Sequence, residues 1–77
     1  MLPSEEIAER IYNLFREGRM GKITFIQNFE SLFYRDDNIG AYYLIWLLFQ
    51  GRRTKDINYI LRFAVSKIIK RDLNRRA

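Results

Sequence analysis

Apolar residues recur at helical spacing in the first part of the chain, and polar residues fill the positions between them. This spacing places apolar side chains on one side of a helix. Ser4 precedes the pattern as a candidate N-cap, and Gly18 follows it as a stop. The pattern predicts a helix over residues 4–17. Its apolar stripe consists of Ile7, Ala8, Ile11, Leu14 and Phe15.

A second stripe follows after a short glycine-containing link. Thr24 and Gln27 have the spacing of a capping box, which predicts a helix over residues 24–35. A strand over 22–27 is the alternative, because Ile23, Thr24 and Phe25 alternate in polarity. The helix accounts for more of the pattern. Its stripe would be Phe25, Ile26, Phe29, Leu32 and Phe33.

The run from Ile39 to Phe49 contains no charged and no amide side chain. At about 1.5 Å per helical residue it spans only ~17 Å, which is too short to cross a bilayer core of about 30 Å. Asp36, Asp37 and Asn38 offer N-caps before it, and Gly51 closes it. A helix over 38–50 that is apolar on every side predicts a buried central helix surrounded by the others.

The final pattern predicts a helix over residues 54–73, capped by Thr54, with residues 74–77 fraying. Its apolar positions are Ile57, Ile60, Leu61, Ala64, Val65, Ile68 and Ile69. The connections between the four predicted helices are short. The sequence therefore predicts an all-α fold, a compact four-helix domain that comprises residues 1–77.

Three neighbouring helices are few for a central helix that is apolar all round. Tyr42, Trp46 and Phe49 form one aromatic stripe, at positions i, i+4 and i+7. This stripe is compatible with two arrangements: a core within one chain, or the interface of a symmetric homodimer.

Composition argues against catalysis and metal chemistry. The chain has no cysteine and no histidine, so the commonest metal ligand and the commonest general base are both missing. We therefore expect a binding protein rather than an enzyme, with no cofactor and no metal site. No signal peptide or transmembrane segment is evident in the sequence, which predicts an intracellular location.

Charge is distributed unevenly along the chain. Residues 1–50 carry five basic and seven acidic side chains, whereas residues 51–77 carry nine basic and two acidic ones. Such a basic segment suggests a polyanionic partner, although a solvated basic surface would have the same composition.

The densest cluster of cations, Arg52, Arg53 and Lys55, lies at the start of the last predicted helix. Backbone amides at a helix start attract anions, so this segment is a candidate phosphate site. The predicted nucleic-acid-binding residues are Arg52, Arg53, Thr54, Lys55, Asn58, Tyr59, Arg62 and Lys70. Cations interleaved with aromatic residues suit nucleic acid, and the same pattern also suits an anionic membrane surface. The bland alternative is that Tyr59 and Phe63 pack beneath the first helix.

Residues 44–50, 51–53 and 54 onward have the outline of a helix-turn-helix. The leading hypothesis is a small nucleic-acid-binding protein that contacts the phosphate backbone, with DNA favoured over RNA. Its small size would suit a virus, a plasmid or another compact genome. The alternative is a helical adaptor or inhibitor that binds another protein through an aromatic surface. A membrane surface is the least favoured partner.

Overall fold

The computed structural model describes residues 2–35 and 38–76. Within 54–76 it describes the backbone throughout, and all side chains except those of Ala64, Val65, Lys67, Ile68, Arg71, Asp72, Arg75 and Arg76. These described parts form four helices and contain no strand. The helices are Pro3–Arg16 (α1), Lys22–Phe33 (α2), Ile39–Gln50 (α3) and Thr54–Arg76 (α4). The predicted all-α fold is confirmed, and the strand alternative over 22–27 is wrong.

The helix starts differ from the predicted caps. Helix α1 begins at Pro3 because proline is well suited to the first helical position, so Ser4 lies inside the helix instead of capping it. Helix α2 begins at Lys22 after Gly21, whose carbonyl accepts a hydrogen bond from the Phe25 amide, so Thr24 lies inside the helix instead of capping it. Asn38 holds the N-cap position of α3 but makes no capping hydrogen bond with its side chain. The other two candidates for that cap, Asp36 and Asp37, lie outside the described residues.

The core is built from the predicted stripes. Every apolar residue predicted on the inner side of α2 is buried, and Ala8 and Ile11 join them from α1. Helix α3 contributes Ala41, Leu44 and Leu48. From α4, Ile57 and Ile60 complete the cluster. Ile23, which falls outside the α2 stripe, is exposed.

Side-chain contacts fix the relative directions of the helices. The backbone of Ser4 lies against Gly40, and the Tyr12 hydroxyl lies against Gly51, so α1 and α3 run parallel. Phe15 stacks on Phe25 with ring centroids 4.0 Å apart, which places the end of α1 beside the start of α2. Helices α1 and α4 both pack on α2 and α3 but make little contact with each other. They therefore lie on opposite sides of the α2–α3 pair.

Helix α3 is not surrounded, which corrects the prediction of a fully buried central helix. Its inner residues Ala41, Leu44 and Leu48 are completely covered, whereas Tyr42, Trp46 and Phe49 are exposed. The three other helices cover only one side of α3 because α1 and α4 flank it and α2 lies beneath it. The aromatic stripe is therefore not part of a core within the chain.

Helix α4 extends beyond the core. It continues to Arg76, so the fraying predicted from residue 74 is not observed through Arg76, and Ala77 lies outside the described residues. Leu61 and Ile69, predicted on its inner side, are exposed, as is Leu73. Thr54 begins the helix rather than capping it, because the carbonyl of Arg53 accepts the first helical hydrogen bonds.

Gly40 allows α1 and α3 to approach closely. A Cβ atom at this position would lie 2.9 Å from both the Ser4 carbonyl oxygen and the Leu32 Cδ2 atom. We expect Gly40→Ala to lower the free energy of unfolding by about 1–2 kcal/mol, because overpacking outweighs the gain in helix propensity of about 1 kcal/mol. Urea denaturation measures this change. A more stable Gly40→Ala protein would contradict the close crossing.

Gly21→Ala provides the matched control. Apart from its two chain neighbours, no described residue has an atom within 4 Å of a Cβ placed at Gly21, and its φ of −72° is open to any residue. The free energy of unfolding should therefore change by no more than about 0.5 kcal/mol.

Candidate functional site

One side of α4 presents its polar residues to solvent. Lys55, Asn58, Tyr59, Arg62 and Lys70 are exposed and lie within about 120° of the helix circumference. The buried residues Ile57 and Ile60 lie on the opposite side and anchor the helix to the core. We call the five exposed residues the basic face. Folding therefore groups these five predicted binding residues on one accessible surface.

Lys22 of α2 lies beside the basic face, although it is distant in sequence from the residues of α4. Its ammonium group lies 4.4 Å from the centroid of the Tyr59 ring, in the geometry of a cation–π contact. The start of α2 thus adds a cation to the basic face. Sequence patterns could not reveal this contact, because the pairing of α2 with α4 is a tertiary property.

The basic face also carries aliphatic side chains in its second half. Ile69 and Leu73 are more than half exposed and lie on the same side of α4 as Arg62 and Lys70. The face is therefore cationic near the start of α4 and amphipathic further along.

Phe63 lies between α2 and α4 rather than beneath α1. It lines an open groove that also contains Tyr59 and Arg62 from α4. The α2 side of the groove is formed by Ile23, Ile26, Gln27 and Glu30. The expectation that Tyr59 and Phe63 pack beneath the first helix is wrong, because α4 lies along α2.

Arg53 has partners within the chain. Its Nε atom donates a hydrogen bond of 3.1 Å to Oδ2 of Asp56, and its guanidinium carbon lies 5.2 Å from the centroid of the Phe15 ring. The Asp56 carboxylate lies in the first turn of α4, where the helix dipole favours a negative charge. The candidate phosphate site at the start of α4 therefore already contains one carboxylate, and one of its arginines is paired with it.

Arg52 occupies an unusual backbone conformation. Its φ is +57°, in the left-handed region that glycine adopts most readily. The Arg52 amide donates to the carbonyl of Phe49 and the Arg53 amide donates to the carbonyl of Leu48, which is the Schellman pattern at the end of α3. The Arg52 side chain is exposed beside the exposed residues Thr54 and Lys55. A left-handed turn thus projects a cation at the start of the basic face.

A second exposed surface runs along α3. We call Ile39, Tyr42, Trp46 and Phe49 the aromatic face; they are 37%, 62%, 52% and 67% exposed. Tyr43 borders this face and stacks on Trp46 with ring centroids 5.6 Å apart. Desolvation raises the pKa of the Tyr43 hydroxyl above 10.0, and the carboxylates of Glu9 and Glu5 raise it further. Helix α1, which carries both carboxylates, packs against α3.

The described part of the chain offers no metal centre. Because the sequence has no histidine and no cysteine, its strongest potential metal ligands are Asp and Glu, and no three of them come together in the described part. Among the described helices, none is long and apolar enough to span a membrane.

Replacing Arg52 separates its backbone role from its charge. We expect Arg52→Gly to raise the free energy of unfolding by about 0.5–1 kcal/mol, because glycine removes the left-handed strain but loses more chain entropy on folding. Arg52→Gln keeps the strain and should change stability by less than about 0.5 kcal/mol. Urea denaturation of both variants checks the turn. A destabilised Arg52→Gly protein would contradict the observed conformation.

Replacing Arg53 should affect folding. Arg53→Gln removes the pairing with Asp56 and the contact with the Phe15 ring, so we expect a loss of about 1 kcal/mol in the free energy of unfolding. The loss should shrink when Phe15 is also replaced by Leu, as a double-mutant cycle would measure. Independent, additive effects would argue against the contact.

Comparison of the chain with protein-family models, with curated proteins and with solved structures finds no match in any of the three. The functional argument therefore depends on the chain's own surfaces. Two stand out among the described residues: the basic face of α4 with Lys22, and the aromatic face of α3.

Proposed function

We propose that this protein binds nucleic acid, with DNA favoured, by contacting the phosphate backbone with the start and the basic face of α4. The observation that carries this proposal is the alignment of Lys55, Arg62 and Lys70 along one exposed side of a helix anchored by Ile57 and Ile60. Arg52 extends the line at one end, and Lys22 widens it beside Tyr59. The five residues of the basic face include no acid, and Glu30 of α2 lines the adjacent groove with Tyr59 and Arg62.

The spacing of these cations suits a polyanion. Lys55 and Arg62 are separated by about 10 Å along the helix, and Arg62 and Lys70 by about 12 Å. A duplex carries one phosphate charge per about 1.7 Å of its axis, so cations about 10–12 Å apart can each meet a separate phosphate. The structure thus supports backbone contact, in which charge and position contribute more than base identity.

The first residues of α4 contribute less to phosphate binding in this proposal than the sequence predicts. Arg53 is engaged with Asp56 and Phe15, so it would have to exchange an internal partner for a phosphate. Arg52 and Lys55 are both exposed and carry the larger share. Asn58 and Tyr59 are polar and aromatic neighbours that can contact sugars or bases.

A helix-turn-helix mode remains one form of this proposal. Helix α3 ends at Gln50 and α4 begins at Thr54, so the connection has three residues. Insertion of α4 into the major groove would use Lys55, Asn58 and Arg62, which lie in its first turns. Backbone binding without insertion would use the same residues and extend to Lys70.

The aromatic face favours a second function, contact with another protein chain. Tyr42, Trp46 and Phe49 are large, exposed and contiguous, and aromatic residues are enriched where proteins bind each other. An adaptor or inhibitor function would use this face, with the basic residues increasing the rate of encounter. An anionic membrane is less well supported, because the aliphatic residues Ile69 and Leu73 occupy only the second half of the basic face.

The salt dependence of binding tests the leading proposal. With four to six phosphate contacts, affinity for a 20-base-pair duplex should fall by about two decades or more when salt rises fourfold. Arg62→Gln should lower affinity and reduce the slope of log K against log salt by about 0.9, because one phosphate contact is lost. Fluorescence anisotropy with labelled DNA measures both quantities, and RNA of the same sequence tests the preference for DNA.

Arg10→Gln is the matched control. Arg10 is also an exposed arginine within a helix, but it lies on α1, across the α2–α3 pair from α4. Its replacement removes the same charge and should leave the slope nearly unchanged. Equal effects of Arg10→Gln and Arg62→Gln would mean that attraction is diffuse. Absence of binding to duplex, single-stranded DNA and RNA even at about 50 mM salt would refute the proposal and favour the adaptor function.

A further inference from the structure

The exposed residues of α3 have the spacing of a helix-pairing seam. Ile39, Tyr42, Trp46 and Phe49 are separated by three, four and three residues, which is the a/d pattern that keeps one side of a helix against a partner helix. These four residues lie within about 80° of the helix circumference. Within this seam there is no charge and no amide group.

We propose that the aromatic face binds a second copy of this chain, with the two α3 helices packed side by side in a parallel dimer. A seam of identical apolar residues is complementary to itself, as a twofold interface requires. In the parallel arrangement each seam residue meets its own counterpart, so Tyr42 lies opposite Tyr42 and Trp46 opposite Trp46. The dimer does not require nucleic-acid binding, but its orientation uses Lys55 and Arg62, which also belong to the basic face.

The exposed area is of the size that a dimer needs. Aromatic side chains carry about 150–250 Å² each, so the observed exposures leave roughly 400 Å² of apolar surface on this face. Two copies would bury about 800 Å² of it, which is most of the apolar area in a standard interface of about 1,600 Å². The parts of α1 and α4 on either side of the aromatic face would supply the remaining interface area. Leu61 lies on the side of α4 that is turned away from α2 and is available there.

Charge on the two flanks favours the parallel orientation. Helix α1 packs on α3 beside Gly40, and its carboxylates Glu5 and Glu9 act on Tyr43, which borders the aromatic face. Helix α4 lies on the opposite side of α3 and presents Lys55 and Arg62 to solvent. A twofold axis along α3 brings α1 of one copy to α4 of the other, acid to base. An antiparallel pair would bring α1 to α1 and α4 to α4, like charge to like.

The single tryptophan reports the interface without modification. Trp46 is the only tryptophan in the chain and is half exposed in the monomer. We expect its emission maximum to shift to shorter wavelength as protein concentration rises, in parallel with dimer formation measured by sedimentation. The proposal would be overturned if the chain sediments as a monomer at about 200–500 µM. A dimer that does not form at this concentration associates too weakly to matter.

Two charge substitutions locate the contact. Trp46→Glu should weaken dimerisation by about thirty-fold or more, because it removes a central aromatic residue and places two like charges together. Ile23→Glu is the control, since Ile23 is 73% exposed but lies on α2. It should leave dimerisation unchanged. Circular dichroism establishes that both variants are helical, and equal weakening by both would overturn the assignment to α3.

Disulfide trapping tests the orientation. The chain has no cysteine, so Phe49→Cys and Ile39→Cys each introduce a single thiol. In a parallel dimer each variant should form a disulfide with its own copy upon mild oxidation, because identical positions adjoin. In an antiparallel dimer residues 39 and 49 of one chain, about 15 Å apart along the helix, would exchange places. Crosslinking only in a mixture of the two variants would therefore overturn the parallel arrangement.

Discussion

The structure depends on how few helices are available to cover α3. A chain of 77 residues can bury only about 60–65% of the surface of its unfolded form, so its most apolar helix cannot be enclosed completely. Helix α2 contributes five buried residues, and Leu44 and Leu48 of α3 join them in the core without exposure. Gly40 lets α1 approach from one side. The side of α3 that no other helix covers is the aromatic face.

The uncovered side of α3 and the basic side of α4 are different kinds of surface, and their origins differ. The aromatic face is exposed because no helix remains to cover it. The basic face is exposed because Ile57 and Ile60 attach α4 to the core by its opposite side. Each helix therefore uses one side for folding and has the other free for a partner.

The turn between α3 and α4 connects stability to this surface. Arg52 adopts a left-handed conformation that glycine would adopt at lower cost, so its side chain is placed on the surface at some conformational cost. Arg53 bridges α1 and α4 through Phe15 and Asp56. Two adjacent arginines of similar appearance in the sequence thus have different tasks. One holds the helix in place, and the other extends the exposed charge.

The sequence by itself determined the helices and the inner side of most of them. The all-α class, four helices within a few residues of their bounds, and the five buried residues of α2 all follow from apolar spacing, because burial of one side of a helix imposes that spacing. Local cues were weaker. Ser4, Thr24 and Thr54 resemble caps, but the helices begin at Pro3, Lys22 and Thr54, so none of the three is an N-cap.

Only the tertiary structure decided which apolar residues would be covered and which cations would be free. An apolar run such as Ile39–Phe49 looks the same in sequence whether three neighbours enclose it or one side stays open, since enclosure depends on where α1 and α4 pack. The same holds for Arg53, whose partner Phe15 is 38 positions away. It also holds for Lys22 of α2, which contacts the ring of Tyr59 on α4. Long-range contacts of this kind arise from packing, and helical periodicity carries no information about them.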